Sequence, residues 1–264
     1  MLLYIIRILD IPLETQNNKS ISRRDFLKFA IASPFVLTEN PVECEIKVGA
    51  LYGIKHDDVR ATTFWAGEEA SEDNMGISNI PSAWYSNWPA HFGGIDNPEN
   101  RDPKNSYFPE GFTPKENPFY VAIPIQEFTE TGEAPYAHEL LSDMPYVGKD
   151  NAVSRLKNQW VKISYNDKKV YAQVADIGPI PDGAETDVGY ILGQKPYVYT
   201  EELEIGGIDM SPAVTIYLTE DEERPPLISQ TSLEGVSWEL VPPECVPEEG
   251  PWNEIVTESG PHWE

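Results

Sequence analysis

The chain has 264 residues, 40% of them hydrophobic, with 24 prolines and 18 glycines. This composition argues against a helical bundle and suits a loop-rich β protein. With 44 acidic residues against 19 basic ones, the formal net charge is -25, so phosphate backbones and anionic membrane surfaces are repelled and a neutral or cationic ligand fits better.

The N-terminus is read first as an address. Ser22-Arg23-Arg24-Asp25-Phe26-Leu27-Lys28 matches the twin-arginine export motif, and a short apolar run follows from Phe29 to Leu37. That run is too short to span a bilayer. Residues 1–38 are therefore expected to be a signal segment, and residues 39–264 a single exported domain, periplasmic or extracellular and monomeric. Cys44 and Cys245 are the only cysteines. They either tie the ends of the mature chain together by a disulfide or remain two free thiols.

In chain order, Glu45–Tyr52 alternates like a first strand, and Arg60–Trp65 (RATTFW) is a second, β-branched and aromatic. From 68 to 117 the strand period disappears. This stretch is dense in Asn, Pro and Gly yet carries Trp84, Tyr85, Trp88, His91 and Phe92, which predicts an ordered flap with a short helix near Ser82–Trp88. Phe119–Ile123 is a short apolar run ended by Pro124, expected as a buried strand. Ala134–Met144 has helical spacing. Trp160–Tyr165 and Lys169–Ala175 alternate on either side of Asn166-Asp167 and predict a β-hairpin. Asp176-Ile177-Gly178-Pro179 ends the second of these strands. Ser211 as N-cap and Pro212 at the first helical position start a helix. Val236–Val241 reads as a last strand, and PWNEIV as a strand-like tail within an extension over 220–264.

Two aspartates carry the candidate chemistry. Asp176 and Asp209 each stand at a strand end, where one protonated carboxyl and a second carboxylate are what glycoside cleavage canonically needs. Each also has a bland role: Asp176 bonding the backbone at Gly178, and Asp209 bonding the amides of the helix start. The aromatic residues Trp65, Trp84, Tyr85 and Trp88 can stack on sugar rings or simply pack. For Trp84 and Trp88, at i and i+4, pinning the flap to the barrel is the favoured reading over lining a groove. The four histidines lack metal-ligand spacing, and Asp96–Asp102 lacks the EF-hand pattern. There is no GxSxG, P-loop or Rossmann fingerprint, so no cofactor is expected.

VADIGP (Val174–Pro179) followed by GIDMSPA (Gly207–Ala213) resembles the paired motifs of the double-psi β-barrel superfamily, comprising rare-lipoprotein-A-like proteins, expansins and barwin-like endoglucanases. RATTFW and FYVAIP resemble the first strand and a later strand of those barrels. The layout as a whole is similar to exported bacterial members. The resemblance implies a mainly β fold: a six-stranded double-psi β-barrel with a long aromatic-rich insertion and a few short helices. It implies a cell-wall or extracellular polysaccharide, such as peptidoglycan or a β-glucan, as partner. Asp209 then falls at the general-acid position, with Asp176 assisting as in a glycoside hydrolase or lytic transglycosylase. Thr63, Trp65 and Tyr120, with Trp84 and Trp88, become candidate sugar-binding residues. This sequence departs from the pattern at Ile177, where the lipoprotein group has arginine, and at Tyr120, close to that group's histidine. The alternatives are a non-catalytic, expansin-like binding module, or a scaffold docking a protein partner through the flap.

Overall fold

The computed structural model describes residues 51–260 apart from 73, 75, 130–131, 149–153, 181–185, 198–206 and 221–226. The expected signal segment over residues 1–38, most of the strand expected over Glu45–Tyr52, and Cys44 lie outside the described residues. Among the described residues ten strands run in chain order: β1 (His56–Thr63), β2 (Arg101–Asp102), β3 (Asn105–Pro109), β4 (Tyr120–Ile123), β5 (Phe128–Thr129), β6 (Gly132–Glu133), β7 (Trp160–Tyr165), β8 (Lys168–Ile177), β9 (Ile208–Met210) and β10 (Ser232–Val241). The helices are short: α1 (Trp88–Phe92), α2 (Ala137–Leu140), α3 (Val188–Ile191) and α4 (Pro212–Thr219).

Six strands close into a mixed barrel in the order β1-β10-β7-β8-β4-β9. Two neighbouring pairs are parallel, β1 with β9 and β4 with β8, and the rest are antiparallel. Exchanging β1, β4 and β7 for β8, β9 and β10 maps this ring onto itself and each parallel pair onto the other. That internal pseudo-twofold is the double-psi arrangement. Closure leaves no free edge among the six strands.

The inward face is the apolar set that strand alternation demands: Val59 and Ala61, Val121 and Ile123, Val161 and Ile163, Val170, Ala172 and Val174, Ile208 and Met210, Val236 and Trp238. The hairpin β7–β8 turns through Asn166-Asp167, with Tyr165 opposite Lys168 and Asn166 in the left-handed region at φ 51°. A second, smaller core lies outside the barrel, where Phe64, Ala66, Tyr85, Trp88 and Phe92 pack on Tyr120, Ala122 and Ala175. The flap is thus an ordered cover over β4.

Several local expectations shift. β1 begins at His56 and ends at Thr63, which leaves Trp65 beyond the strand. The flap helix begins at Trp88 where the expected one was to end, because the Asn87 side chain accepts the Ala90 amide and a proline occupies the first turn. Ala134–Met144 yields only the single turn of α2, and the PWN of the tail forms a 3-10 turn at Pro251–Asn253 instead of a strand. Among the described residues there is no free cysteine: Cys245 is disulfide-bonded.

The start of α4 is as read. The Ser211 hydroxyl accepts the Val214 amide at 3.3 Å, accepts the Tyr120 amide at 3.2 Å and donates to the Pro118 carbonyl at 2.7 Å. It therefore caps the helix and ties it to β4 in one buried atom. Ser211→Ala is expected to cost about 2 kcal/mol, the sum of a cap and a buried bond, read as a fall in the urea midpoint with an unchanged slope.

Candidate functional site

Asp209 sits in β9 opposite Thr62 of β1 on one side and Ala122 of β4 on the other. Ala122 in turn is opposite Asp176 of β8. Paired residues share a face of a sheet, so Thr62, Asp209, Ala122 and Asp176 form one row on the outside of the barrel. Only the small Ala122 side chain separates the two aspartates along that row.

Asp176 reaches this face by a bulge. Val121 pairs with Val174, but the next residue, Ala122, pairs with Asp176 and skips Ala175. Regular alternation from the inward Val174 would have turned Asp176 into the barrel. The extra residue instead points both Ala175 and Asp176 toward the flap.

The two carboxyls have different surroundings. Asp176 is 7% exposed. Its Oδ1 accepts the Ala83 amide of the flap at 2.7 Å and the Ile177 amide at 2.8 Å. Burial raises its pKa to about 6, against the pull of those two amides and the Lys157 charge. Neither bland role foreseen for the aspartates occurs: Asp176 anchors the flap, and Asp209 accepts a short hydrogen bond from the Thr62 hydroxyl. Asp209 keeps partial exposure, and its Oδ2 lies toward the Gly178-Pro179 turn. Burial, opposed by the Thr62 bond and reinforced by the negative charges of Glu68 and Asp176, raises its pKa to about 7. A carboxyl raised this far can keep its proton close to neutral pH, which a general acid requires.

Glu68 is the residue the sequence did not single out. It follows the Ala66-Gly67 turn, is 7% exposed and accepts Asn79 Nδ2 at 2.7 Å. Burial raises its pKa as well. The only sequence signal was the acidic pair Glu68-Glu69 directly after a glycine turn.

The candidate sugar-binding residues divide. Tyr120, Trp84 and Trp88 are 1%, 2% and 0% exposed and present no open face. Trp88 lies edge-on to Tyr120 at 5.1 Å between ring centres, while the Tyr120 hydroxyl donates to Asp96 Oδ2 at 2.8 Å and accepts the Ala66 amide at 3.0 Å. Thr63 points away from the row, its hydroxyl 2.9 Å from that of Thr215 and donating to the Thr231 carbonyl. Its neighbour Thr62 holds the place beside Asp209. Trp65 is partly exposed, and its amide donates to the Glu68 carboxylate.

Among the described residues no group of three or more His, Cys, Asp or Glu is placed to hold a metal ion, and no helix is long and apolar enough to cross a membrane.

The fold and site define a closed six-stranded β-barrel with two carboxyls of raised pKa on β8 and β9, the neighbours of β4. The solved structure titled Streptomyces papain inhibitor is similar to this chain at 15% identity, covering 72% of this chain and 97% of that one, with a TM-score of 0.28. No protein-family model and no curated protein matches the sequence.

Proposed function

We propose that this is an exported protein that acts on a cell-wall or extracellular polysaccharide, with Asp209 as its general acid. The observation that carries this reading is a partly exposed carboxyl at a rigid strand end, oriented by Thr62 and held in its acid form close to neutral pH. The Asp209 proton passes to the glycosidic oxygen as the bond from that oxygen to the anomeric carbon breaks. Water then adds its hydroxide to that carbon and returns a proton to Asp209. In a transglycosylase, a hydroxyl of the sugar itself takes the place of water. Asp176 assists from beneath the flap, through its charge and its hold on Ala83, without touching substrate. Thr62 borders the acid. The twin-arginine motif supports export.

A second reading rests on the burial of Asp176, whose carboxylate is bonded to backbone amides under the flap. That arrangement favours a non-catalytic barrel that binds glycan around Asp209. Incubating wild type and Asp209→Asn with peptidoglycan and with β-glucans separates the two. Loss of a general acid lowers the rate about 10²–10⁴-fold, so soluble fragments released by wild type and not by the variant are the expected result. Equal pull-down of both proteins with no release from either would instead assign a binding module.

A further inference from the structure

We propose that Gly178 fixes the side from which a ligand reaches Asp209, and that the Ile180 amide is the second donor the ligand oxygen meets there. The proposal rests on the reading of Asp209 as the acid and adds a positioning residue and a binding group to it. Three observations carry it.

First, the two oxygens of Asp209 are not equivalent. Oδ1 accepts the Thr62 hydroxyl. Oδ2 has no hydrogen-bond partner among the described residues, and it is not one of their buried unpaired polar atoms, so it meets solvent. The proton available for transfer is therefore the one on Oδ2. Second, Oδ2 faces Gly178. A β-carbon at position 178 would stand 3.9 Å from Oδ2 and 4.0 Å from the Ile180 nitrogen, with no other atom of the described residues, its chain neighbours aside, within 4 Å. A methyl group fits there without collision but lies against the oxygen, whereas glycine leaves that room to a ligand. Third, the barrel holds this geometry. The Gly178 amide donates to the Ile123 carbonyl at the end of β4 at 3.0 Å, and Asp209 pairs with Ala122, one residue earlier on the same strand. The turn and the acid are both fixed to β4.

The Ile180 amide donates to no acceptor among the described residues. An atom lying over Gly178 therefore has a protonated carboxyl and an unbonded amide as its nearest polar neighbours. Both are donors, so the atom they suit is an oxygen that offers lone pairs and no proton, such as the ether oxygen between two sugar rings. The φ of 149° at Gly178 is one that L side chains rarely adopt, so the position that leaves the approach open is also one the backbone reserves for glycine.

The test uses the full chain and no glycan. Wild type and Gly178→Ala are treated with a water-soluble carbodiimide and glycinamide below the Asp209 pKa of about 7, and the carboxyls converted to amides are located by mass spectrometry. Reacting atoms must approach to about 3–3.5 Å, so a methyl beside Oδ2 obstructs the reagent. Asp209 is expected to react in wild type and to be slowed about tenfold or more in Gly178→Ala. The exposed Asp167 of the β7–β8 turn is expected to react equally in both. An inert Asp209 in wild type, or one equally reactive in the variant, overturns the proposal. Any side chain at that φ strains the backbone, so a variant that has lost its urea transition is set aside and wild type decides. A neutral nitroxide in solution is expected to broaden the Asp209 carboxyl and Ile180 amide NMR signals together, and broadening of Asp209 without Ile180 overturns the proposal. Neither readout depends on sugar, so their failure is distinct from a failure to release fragments or to bind glycan.

Discussion

Lys157→Met is expected to destabilise the protein by about 3–5 kcal/mol, the cost of leaving one buried charge without its partner. Lys157 is 1% exposed, and its ammonium lies 3.1 Å from Glu116 Oε1. Glu116 also accepts Trp88 Nε1 at 3.0 Å and the Tyr85 hydroxyl at 3.3 Å. The Lys157 ammonium in turn stands 5.1 Å from the centre of the Tyr85 ring and 5.8 Å from that of Trp84. One ion pair thus joins the end of the flap, its two buried aromatic anchors and the barrel. Without the lysine the Glu116 carboxylate keeps only two neutral donors. The double variant Lys157→Met/Glu116→Gln is expected to recover most of the loss, because glutamine still accepts from Trp88 and Tyr85 without a charge to bury. Urea unfolding followed by tryptophan fluorescence measures both. A single variant within 1 kcal/mol of wild type would mean that the pair is not shielded from water.

The second large effect is on stability against pH, and its sign is set by groups that oppose one another. Asp209 and Asp176 have folded pKa values raised to about 7 and about 6 from 3.8. The stability they contribute is full below pH 4 and is lost as pH rises through those values. His56 works the other way. It is buried against Trp238 and Tyr190, with ring centres 4.0 and 4.7 Å away, and burial lowers its pKa from 6.5 to about 4. Its contribution is present above pH 6.5 and is lost as pH falls through 4. A carboxyl raised as far as that of Asp209 is worth at most about 4 kcal/mol, and partial exposure reduces this to about 2. Asp176 adds about 2–3 kcal/mol of the same sign, and His56 offsets about 3 between pH 4 and 6.5. The protein is therefore expected to be more stable at pH 5 than at pH 8 by about 1 kcal/mol, with a loss between pH 6.5 and 7 that His56 no longer offsets. Asp209→Asn is expected to flatten that segment and to be the more stable protein at pH 8. Denaturation midpoints across pH 5–8 decide it, and midpoints rising from pH 5 to pH 8 would overturn it.

Elements governed by local rules were legible in the sequence. The β7–β8 hairpin follows from alternation on either side of Asn166-Asp167, and the α4 start follows from Ser211 and Pro212. The barrel was legible only through a resemblance carried by the order of the two aspartate motifs; in the structure each of them stands on one of the two parallel strand pairs. What was not legible depends on parity and on distance. Thr62 and Thr63 are chemically alike, and only the strand register decides which of them meets Asp209. The Ala175 bulge reverses the direction of Asp176, yet nothing in VADIGP marks an extra residue. Lys157 and Glu116 stand 41 residues apart and look like any other charges in a chain rich in them. Glu68 gains its place from the way the flap folds back onto the first strand. Trp84, Trp88 and Tyr120 were seen as important, but composition cannot distinguish a ring lining a groove from a ring sealing one.

The order of strands around the barrel also governs how the molecule comes into being. Thr62 meets Asp209 at a separation of 147 positions, and β1 lies between β9 and β10, the last two strands made. The first strand therefore waits, unpaired on both sides, until nearly the whole chain has been synthesised. Contacts this distant in sequence make for slow, late closure, with apolar strands exposed in the meantime. The candidate site straddles that final seam, since Thr62 belongs to β1 and Asp209 to β9. A molecule that has not finished folding has no site, and a transport route that accepts only finished folds would carry only chains in which Thr62 and Asp209 have already met.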